Sequence, residues 1–409
     1  MALNYIWVAF FLIAFTVALV KLLFFGDMEV FPAMMQSTFD MAKTGFEISI
    51  GLTGIMTLWL GLMKIGERGG VIPILSRLVG PFFSRLFPEI PPNHPATGSI
   101  IMNFSANILG LDNAATPLGL KAMKDLQDIN PNKDTASNAQ IMFLVLNASG
   151  LSIIPLSIIA DRVTMGAANP TSIFIPTLIA TFCSTIAGLI YISIRQKINL
   201  FDPVLLAYVL GFIGFIALGV WHFSNLTQDQ LEVQSLFFTS IIIMTIIISF
   251  LGLGLYHRIP IFETFIEGAK EGFTTSIKII PFLVGILVGI GVFRSSGALD
   301  YLTDGARVGL EATGVDTRFV DALPVAFLKP LSGQGARGMM IEISKPDPDS
   351  FVANMASIFR GCAETTFYVL ALYFGSVGVR KTRYALTGGL IADLFGVLGG
   401  IFAGYLFFG

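Results

Sequence analysis

The sequence predicts an all-α polytopic membrane protein: an inverted repeat with about nine transmembrane helices plus two re-entrant hairpins. Three observations predict it. Of the 409 residues, 54% are hydrophobic and only 13% charged, about half the charged share of an ordinary soluble domain. Mean hydropathy is +0.77, and apolar runs long enough to cross a bilayer return along the whole chain. The order of elements in the first half also comes back in the second. A net charge of -2 with no basic tail or stripe argues against a nucleic-acid partner. No Cys or His cluster has metal-ligand spacing, and neither a phosphate-binding glycine loop nor a Ser–His–Asp set appears. An enzyme is therefore not expected.

The first apolar run, 4–25, has no basic region ahead of it and is too long for a signal-peptide core, so it reads as a retained span. The second, 46–65, is opened by "AKTGFEI" at 42–48 and followed by "GERGGVIPILSRLVGP". An interrupted stretch at about 97–120 comes next, then spans at 138–160, 171–194 and 204–221. Spans at 234–256 and 277–293 begin the second half, "AKEGFTT" at 269–275 answers "AKTGFEI", and "RSSGALDYLTDGARVG" follows. A second interrupted stretch covers 319–341, and spans at 352–376 and 384–408 close the chain. Five crossings precede 234–256, the counterpart of 4–25, so the halves have opposite topology and 204–221 is the odd helix that permits it. The domains are then a repeat at 1–200, a connecting helix at 201–225 and an inverted repeat at 226–409. Inverted repeats with helices broken at matching places mark secondary transporters, whose site lies between the repeats.

Lys and Arg set the orientation. If both interrupted stretches fold back rather than cross, a two-to-one excess gathers on one side, including Lys64, Arg68, Lys121, Lys124, Arg380 and Lys381. Arg162, Arg294 and Arg318 fall on the other, beside acidic loops such as "GDMEVF". The richer side is cytoplasmic. This places the N-terminus inside and the C-terminus outside a bacterial cytoplasmic (inner) membrane.

Polar residues gather where the apolar chain is interrupted. "NFSANILGLDNAATPLG" supplies Asn103, Asn107, Asp112, Asn113 and Thr116. A first half-helix is expected to end near Leu111, with Asp112–Ala115 as the tip. Thr116 would then cap a second half-helix that opens on Pro117. "FLKPLSGQGARGMM" supplies Lys329, Ser332, Gln334 and Arg337. Irregular backbone at membrane depth survives only inside protein or beside water. The tips at Asp112–Thr116 and Ser332–Gln334 are expected to meet near the membrane midplane, where free N–H groups favour anions and free carbonyls cations.

"NASGLSIIP" sets Asn147 and Ser149 ahead of the helix-breaking Pro155, and "RGCAETTFY" carries Arg360, Glu364 and Thr365 at the matching place. Arg360 and Glu364, four residues apart, are expected on one helical face, where they can pair. Asp393 in the last span is a further buried acid, and charge at membrane depth is costly without a partner. Lys329, Arg337 and Arg360 outweigh Asp112 and Glu364, which points to an anionic or zwitterionic substrate. Glycine runs such as "GVLGGIFAG" permit close helix packing.

The stretch "GLMKIGERGGVIPILSRLVGPFFSRLFPEIPPNHPATGSIIMNFSANILGLDNAATPLGLKAM" resembles spore maturation protein A. "PFLVGILVGIGVFRSSGALDYL", "LPVAFLKPLSGQGARGMM" and "GCAETTFYVLALYFGSVGVRKTRYAL" resemble spore maturation protein B. The likeness covers nearly the whole chain, which looks like a single-chain fusion of the two. Both are similar to the nucleoside-recognition, or Gate-domain, group, which includes parts of the concentrative nucleoside transporters and of the ferrous-iron transporter B. The family name implies a role in spores but fixes no substrate. Residues and resemblance together lead to an expected secondary transporter, or flippase-like relative, for a small-molecule or lipid substrate. No cofactor is expected, H+ or Na+ is the candidate coupling ion, and a homo-oligomer is a candidate assembly. The alternative is a non-transporting membrane scaffold for envelope or spore maturation.

Overall fold

The computed structural model describes all residues except 1, 92–93, 109–111, 152–154, 225–227 and 313. Among the described residues no strand forms beyond an isolated bridge between Thr135 and Lys381. The first half contains α1 (Ala2–Phe25), α2 (Val30–Arg68), α3 (Val71–Leu86), α4 (Pro95–Ile108), α5 (Asp112–Asp128), α6 (Asn138–Ala148), α7 (Leu156–Thr164) and α8 (Phe174–Gln196). After α9 (Pro203–Ser224) come α10 (Gln228–Tyr256), α11 (Ile261–Ser295) and α12 (Ala298–Glu311). A short 3-10 helix (Arg318–Ala322) leads into α13 (Leu323–Leu328), α14 (Gly333–Ser344), α15 (Phe351–Gly361), α16 (Thr366–Val377) and α17 (Ala385–Phe408).

Among the described residues, Trp7–Phe25, Val30–Arg68, Phe174–Gln196 and Ala385–Phe408 are long and apolar enough to cross a membrane. Leu12, Phe15 and Phe24 on α1, and Ile241, Met244 and Ile248 on α10, are exposed. Apolar side chains exposed along a helix in this way find a favourable medium in lipid. The protein is an all-α membrane protein.

Two glycine turns occupy like places in the two halves. Gly70 with φ 84° launches α3, and Gly297 with φ 84° launches α12. A positive φ is open to glycine without the Cβ clash that other residues meet. Each glycine turns the chain off a long helix into an amphipathic one. In both halves there follow a helical hairpin, a helix broken partway (α6–α7 and α15–α16) and a final unbroken helix (α8 and α17). No counterpart of α9 exists among these elements.

The chain forms two compact units. The first comprises Met1–Leu60, Ser157–Pro170 and Ala269–Arg360, the second Gly61–Leu156, Thr171–Gly268 and Gly361–Gly409. Each draws on both sequence repeats. In the first unit α2 and α11 cross through small residues. A Cβ on Gly45 would lie 3.0 Å from the Val284 Cα, and one on Gly272 would lie 2.6 Å from the Met56 carbonyl oxygen and 2.8 Å from the Thr57 Cα. The sequence separation of Gly45 and Gly272 is also that of Thr57 and Val284. One contact is therefore the repeat mate of the other, as in a two-fold interface.

In the second unit α8 and α17 form the most extensive helix pair. Buried Gly388, Gly396, Gly399 and Ala403 on α17 lie along the same helix, and a Cβ on Gly399 would meet the Cys183 Cβ at 2.7 Å. Small residues let membrane helices approach this closely. A series of rings forms the rest of this core, with Phe83 stacked on Phe104 at 4.5 Å, Phe143 edge-on to Phe104 and Tyr373 edge-on to Phe143. Ser137 and Gln140 close a capping box at the start of α6.

The α2–α11 crossing yields a direct expectation. Gly272→Ala should lower stability by about 1–3 kcal/mol, because the new methyl meets backbone that cannot rotate away. Gly285→Ala on the same helix meets nothing within 4 Å and should be neutral or slightly stabilising. Thermal unfolding in detergent distinguishes them, and equal melting of the two variants would reject the close crossing.

Candidate functional site

Polar side chains concentrate in two centres, one in each unit, and each is built from a helical hairpin and the broken helices. In the second unit α4 and α5 fold back on each other, and the Asn103 side chain on α4 donates to the Ala115 carbonyl on α5 at 2.8 Å. Helix α5 already begins at Asp112, so Asp112–Ala115 is not the expected tip. Thr116 is not a cap and Pro117 lies in the second turn. The turn itself, 109–111, and the side chains of Asp112 and Asn113 lie outside the description. Thr116 is half-buried in α5.

Helix α6 stops at Ala148 and α15 at Gly361, and among the described residues no regular helix covers 149–151, 155 or 362–365. The two breaks meet in the second unit. The Glu364 N–H donates to the Ala148 carbonyl at 2.9 Å, which satisfies a carbonyl that the end of α6 leaves free. Gly150 takes φ 63° there, and a Cβ on it would lie 2.7 Å from the Glu364 nitrogen. Glycine at 150 is required twice, by its φ and by this approach.

Around this crossing lies a cavity of about 80 Å3, walled by Phe82, Phe83, Phe104, Leu146, Asn107, Asn147, Thr185 and Glu364. Asn107 donates to the Asn147 Oδ1 at 2.8 Å and to the Asn103 Oδ1 at 3.3 Å. Asn147 donates to the Phe143 carbonyl, Ser149 to the Leu146 carbonyl, and Thr185 to the Ser149 Oγ at 3.0 Å. Thr365 is buried at the cap position of α16 without a side-chain capping bond. Buried Thr366 donates to the Asp393 Oδ2 at 2.7 Å. Glu364 itself is exposed, and its carboxylate makes no hydrogen bond or ion pair with any described residue.

The first unit holds the other centre. Asp161 on α7 is fully buried, and its Oδ1 accepts from the Arg337 Nε at 3.0 Å and Nη2 at 2.5 Å. Its Oδ2 lies 3.7 Å from the Arg360 Nη2, while Arg360 also donates to the Ser157 Oγ at 3.2 Å. The next residue, Arg162, is also fully buried and reaches the Asp349 carboxylate at 3.3 Å and the Pro348 carbonyl at 3.1 Å. Ser332 caps α14 by accepting from the Gly335 N–H at 2.9 Å. Gln334 keeps a buried Oε1 without a partner among the described residues. Lys329 is 9% exposed, and its ammonium pairs with no described residue. Three arginines thus meet two carboxylates, Asp161 and Asp349.

Several expectations change in consequence. Arg360 and Glu364 do not share a helical face, because α15 ends at Gly361 and Glu364 lies in the break. The carboxylate that answers Arg360 is Asp161. Arg162 is not a loop charge but the largest fully buried side chain among the described residues. Asp161 was the centre's missing acid, hidden as half of an Asp–Arg pair that resembles the end of a span. Thr185, one of five Ser and Thr residues along the apolar α8, gave no signal. The structure brings Asn103, Asn107, Asn147, Ser149, Glu364 and Thr365 into the second unit's centre, and Lys329, Ser332, Gln334, Arg337 and Arg360 into the first unit's hairpin and α15.

Residues 49–165 match the family described as Gate, nucleoside recognition. Over 197 residues, 47% of this chain and 97% of the relative, the sequence is 41% identical to spore maturation protein A of Bacillus subtilis strain 168. Over 165 residues, 40% of this chain and 91% of the relative, it is 45% identical to spore maturation protein B of the same organism. No solved structure matches the chain.

The Asp161 centre should behave as a coupled unit. Asp161→Asn leaves the buried Arg337 without its carboxylate and is expected to destabilise by about 3–5 kcal/mol, whereas a matched apolar replacement of Asp161 with Arg337 should recover much of that. A mutant cycle read by detergent unfolding measures the coupling. Native melting of D161N would show that the ion pairs do not hold the centre.

Proposed function

We propose, for a chain that belongs to the spore maturation protein A and B family and joins both members in one polypeptide, that it is a secondary transporter or flippase-like protein. In this reading a small polar solute binds in the Glu364 cavity. The observation that carries it is an unpaired carboxylate beside two helix breaks in an otherwise apolar membrane protein. An acidic side chain without a partner among the described residues, set in a chain this apolar, is a candidate for binding or coupling. A purely anionic solute would be repelled by Glu364, so the zwitterionic class is favoured, with H+ or Na+ as candidate coupling ion. No catalytic activity and no cofactor are proposed. The hairpins α4–α5 and α13–α14 are taken as re-entrant, with nine crossings in the inner membrane and a solute or lipid as the partner.

A second reading rests on the other centre. The Asp161 cluster is closed by ion pairs, which is architecture rather than a passage, and the relatives are named for spore maturation. A scaffold in the envelope would need that cluster and would have no use for a free carboxylate.

Glu364→Gln separates the two. The variant should melt close to the native protein, since its carboxylate contacts nothing that holds the fold, yet it should fall at least about tenfold in complementation of a strain lacking its own copy. Full complementation by E364Q would favour the scaffold. Reporter fusions after Phe24 and Gly409 test the orientation. Both should report an exterior position, and a cytoplasmic C-terminus would reject the inverted topology.

A further inference from the structure

The hydrogen-bond directions around the Glu364 cavity can be followed outward from backbone carbonyls, which fix them. Asn103 donates to the Ala115 carbonyl and Asn147 to the Phe143 carbonyl. Both must therefore offer their Oδ1 to Asn107, whose two amide hydrogens are taken by those oxygens at 3.3 and 2.8 Å. The Asn107 Oδ1 is left as an acceptor. Ser149 likewise gives its hydrogen to the Leu146 carbonyl, so it accepts from Thr185, and the Thr185 hydroxyl retains only lone pairs. The side chains on the cavity wall thus offer the Glu364 carboxylate, the Asn107 Oδ1 and the Thr185 Oγ1 as acceptors. Against these stands one remaining amide hydrogen of Asn147. No Lys or Arg is among the wall residues.

A wall of acceptors with a net negative charge calls for a ligand that is cationic and rich in donors. Resting on the transport reading of this cavity, we propose that the recognised group is an organic ammonium, held by Glu364, Asn107 and Thr185. Phe82, Phe83 and Phe104 decide between this and an inorganic ion. Phenyl rings attract a weakly hydrated organic cation, whereas Na+ gains more from a cage of oxygens. The volume of about 80 Å3 corresponds to about three waters at about 30 Å3 each, or a group of similar size. That accommodates an ammonium head and its first carbons, with the rest of the solute outside the wall. Asn147 leaves one donor for a neighbouring oxygen, as a zwitterion would supply.

The test uses the full purified chain in detergent with propylammonium chloride, sodium propionate, 1-propanol and sodium chloride at matched ionic strength. Propylammonium should raise the melting temperature saturably while the other three do not. Glu364→Gln, which is expected to melt normally without ligand, should weaken the effect by about tenfold or more, since a charge-assisted bond is lost. Stabilisation by propionate instead would mean an anion site, and an equal effect of sodium chloride would mean an inorganic cation site. Either result, no response to propylammonium, or an undiminished response in E364Q overturns the proposal. Flux of propylammonium into proteoliposomes is measured separately. Binding without flux would remove transport and keep the ammonium site, and flux of other solutes without ammonium binding would do the reverse.

Discussion

One backbone hydrogen bond, from the Glu364 N–H to the Ala148 carbonyl at 2.9 Å, sits where two helices stop inside a membrane protein. Peptide groups in hydrocarbon must be paired internally, and each failure costs several kcal/mol. A helix that ends partway exposes up to four carbonyls, and one that begins partway exposes up to four N–H groups. Here the end of α6 and the segment leading into α16 partly answer each other. This forces the close approach at Gly150, and with it the placing of Asn147 and Ser149 at the last turn of α6. The cavity is the space that two interrupted helices cannot fill.

The two centres treat charge in opposite ways. In the first unit Asp161 is enclosed between arginines, Arg162 is shared between Asp349 and a carbonyl, and only Lys329 stands apart. In the second unit the amides and hydroxyls bond one another in directed chains and leave Glu364 open. The first arrangement buys rigidity. The second leaves the Glu364 carboxylate without a described partner, amid side-chain dipoles whose directions are fixed by their own hydrogen bonds.

What the sequence reveals follows the range of the forces involved. Apolar runs, the odd helix and the repeated order of elements are local or periodic signals, and the helices form where those signals stand. The polar stretches are also legible, since Asn107, Asn147 and Glu364 do line one cavity. Errors arise where a local rule is applied across a break. Pairing Arg360 with Glu364 assumes a helix that continues past Gly361, and reading Thr116 as a cap assumes that Thr–Pro begins a helix. In both places tertiary contacts take over, through Asp161 in one and through the Asn103 bond to Ala115 in the other. Asp161 escapes because an adjacent Asp and Arg look like the edge of a span, and nothing local distinguishes a buried ion cluster from a wet loop. Thr185 escapes because its role depends on Ser149, thirty-six positions away.

The compact units cut across the sequence repeats. The first takes α1 and most of α2 and α7 from one half, and most of α11 with α12 through α15 from the other. The second takes α3 through α6 and α8 from one half, and α10, α16 and α17 from the other. A polypeptide ending at α9 would hold part of both units and the whole of neither. Two separate chains would have to find each other before either unit closed, at a rate set by their abundance in the membrane. Joining them through α9 replaces that encounter by an intramolecular one at high effective concentration. It also fixes their stoichiometry at one to one, so neither half is left with an unfinished core exposed to lipid or to quality-control proteases.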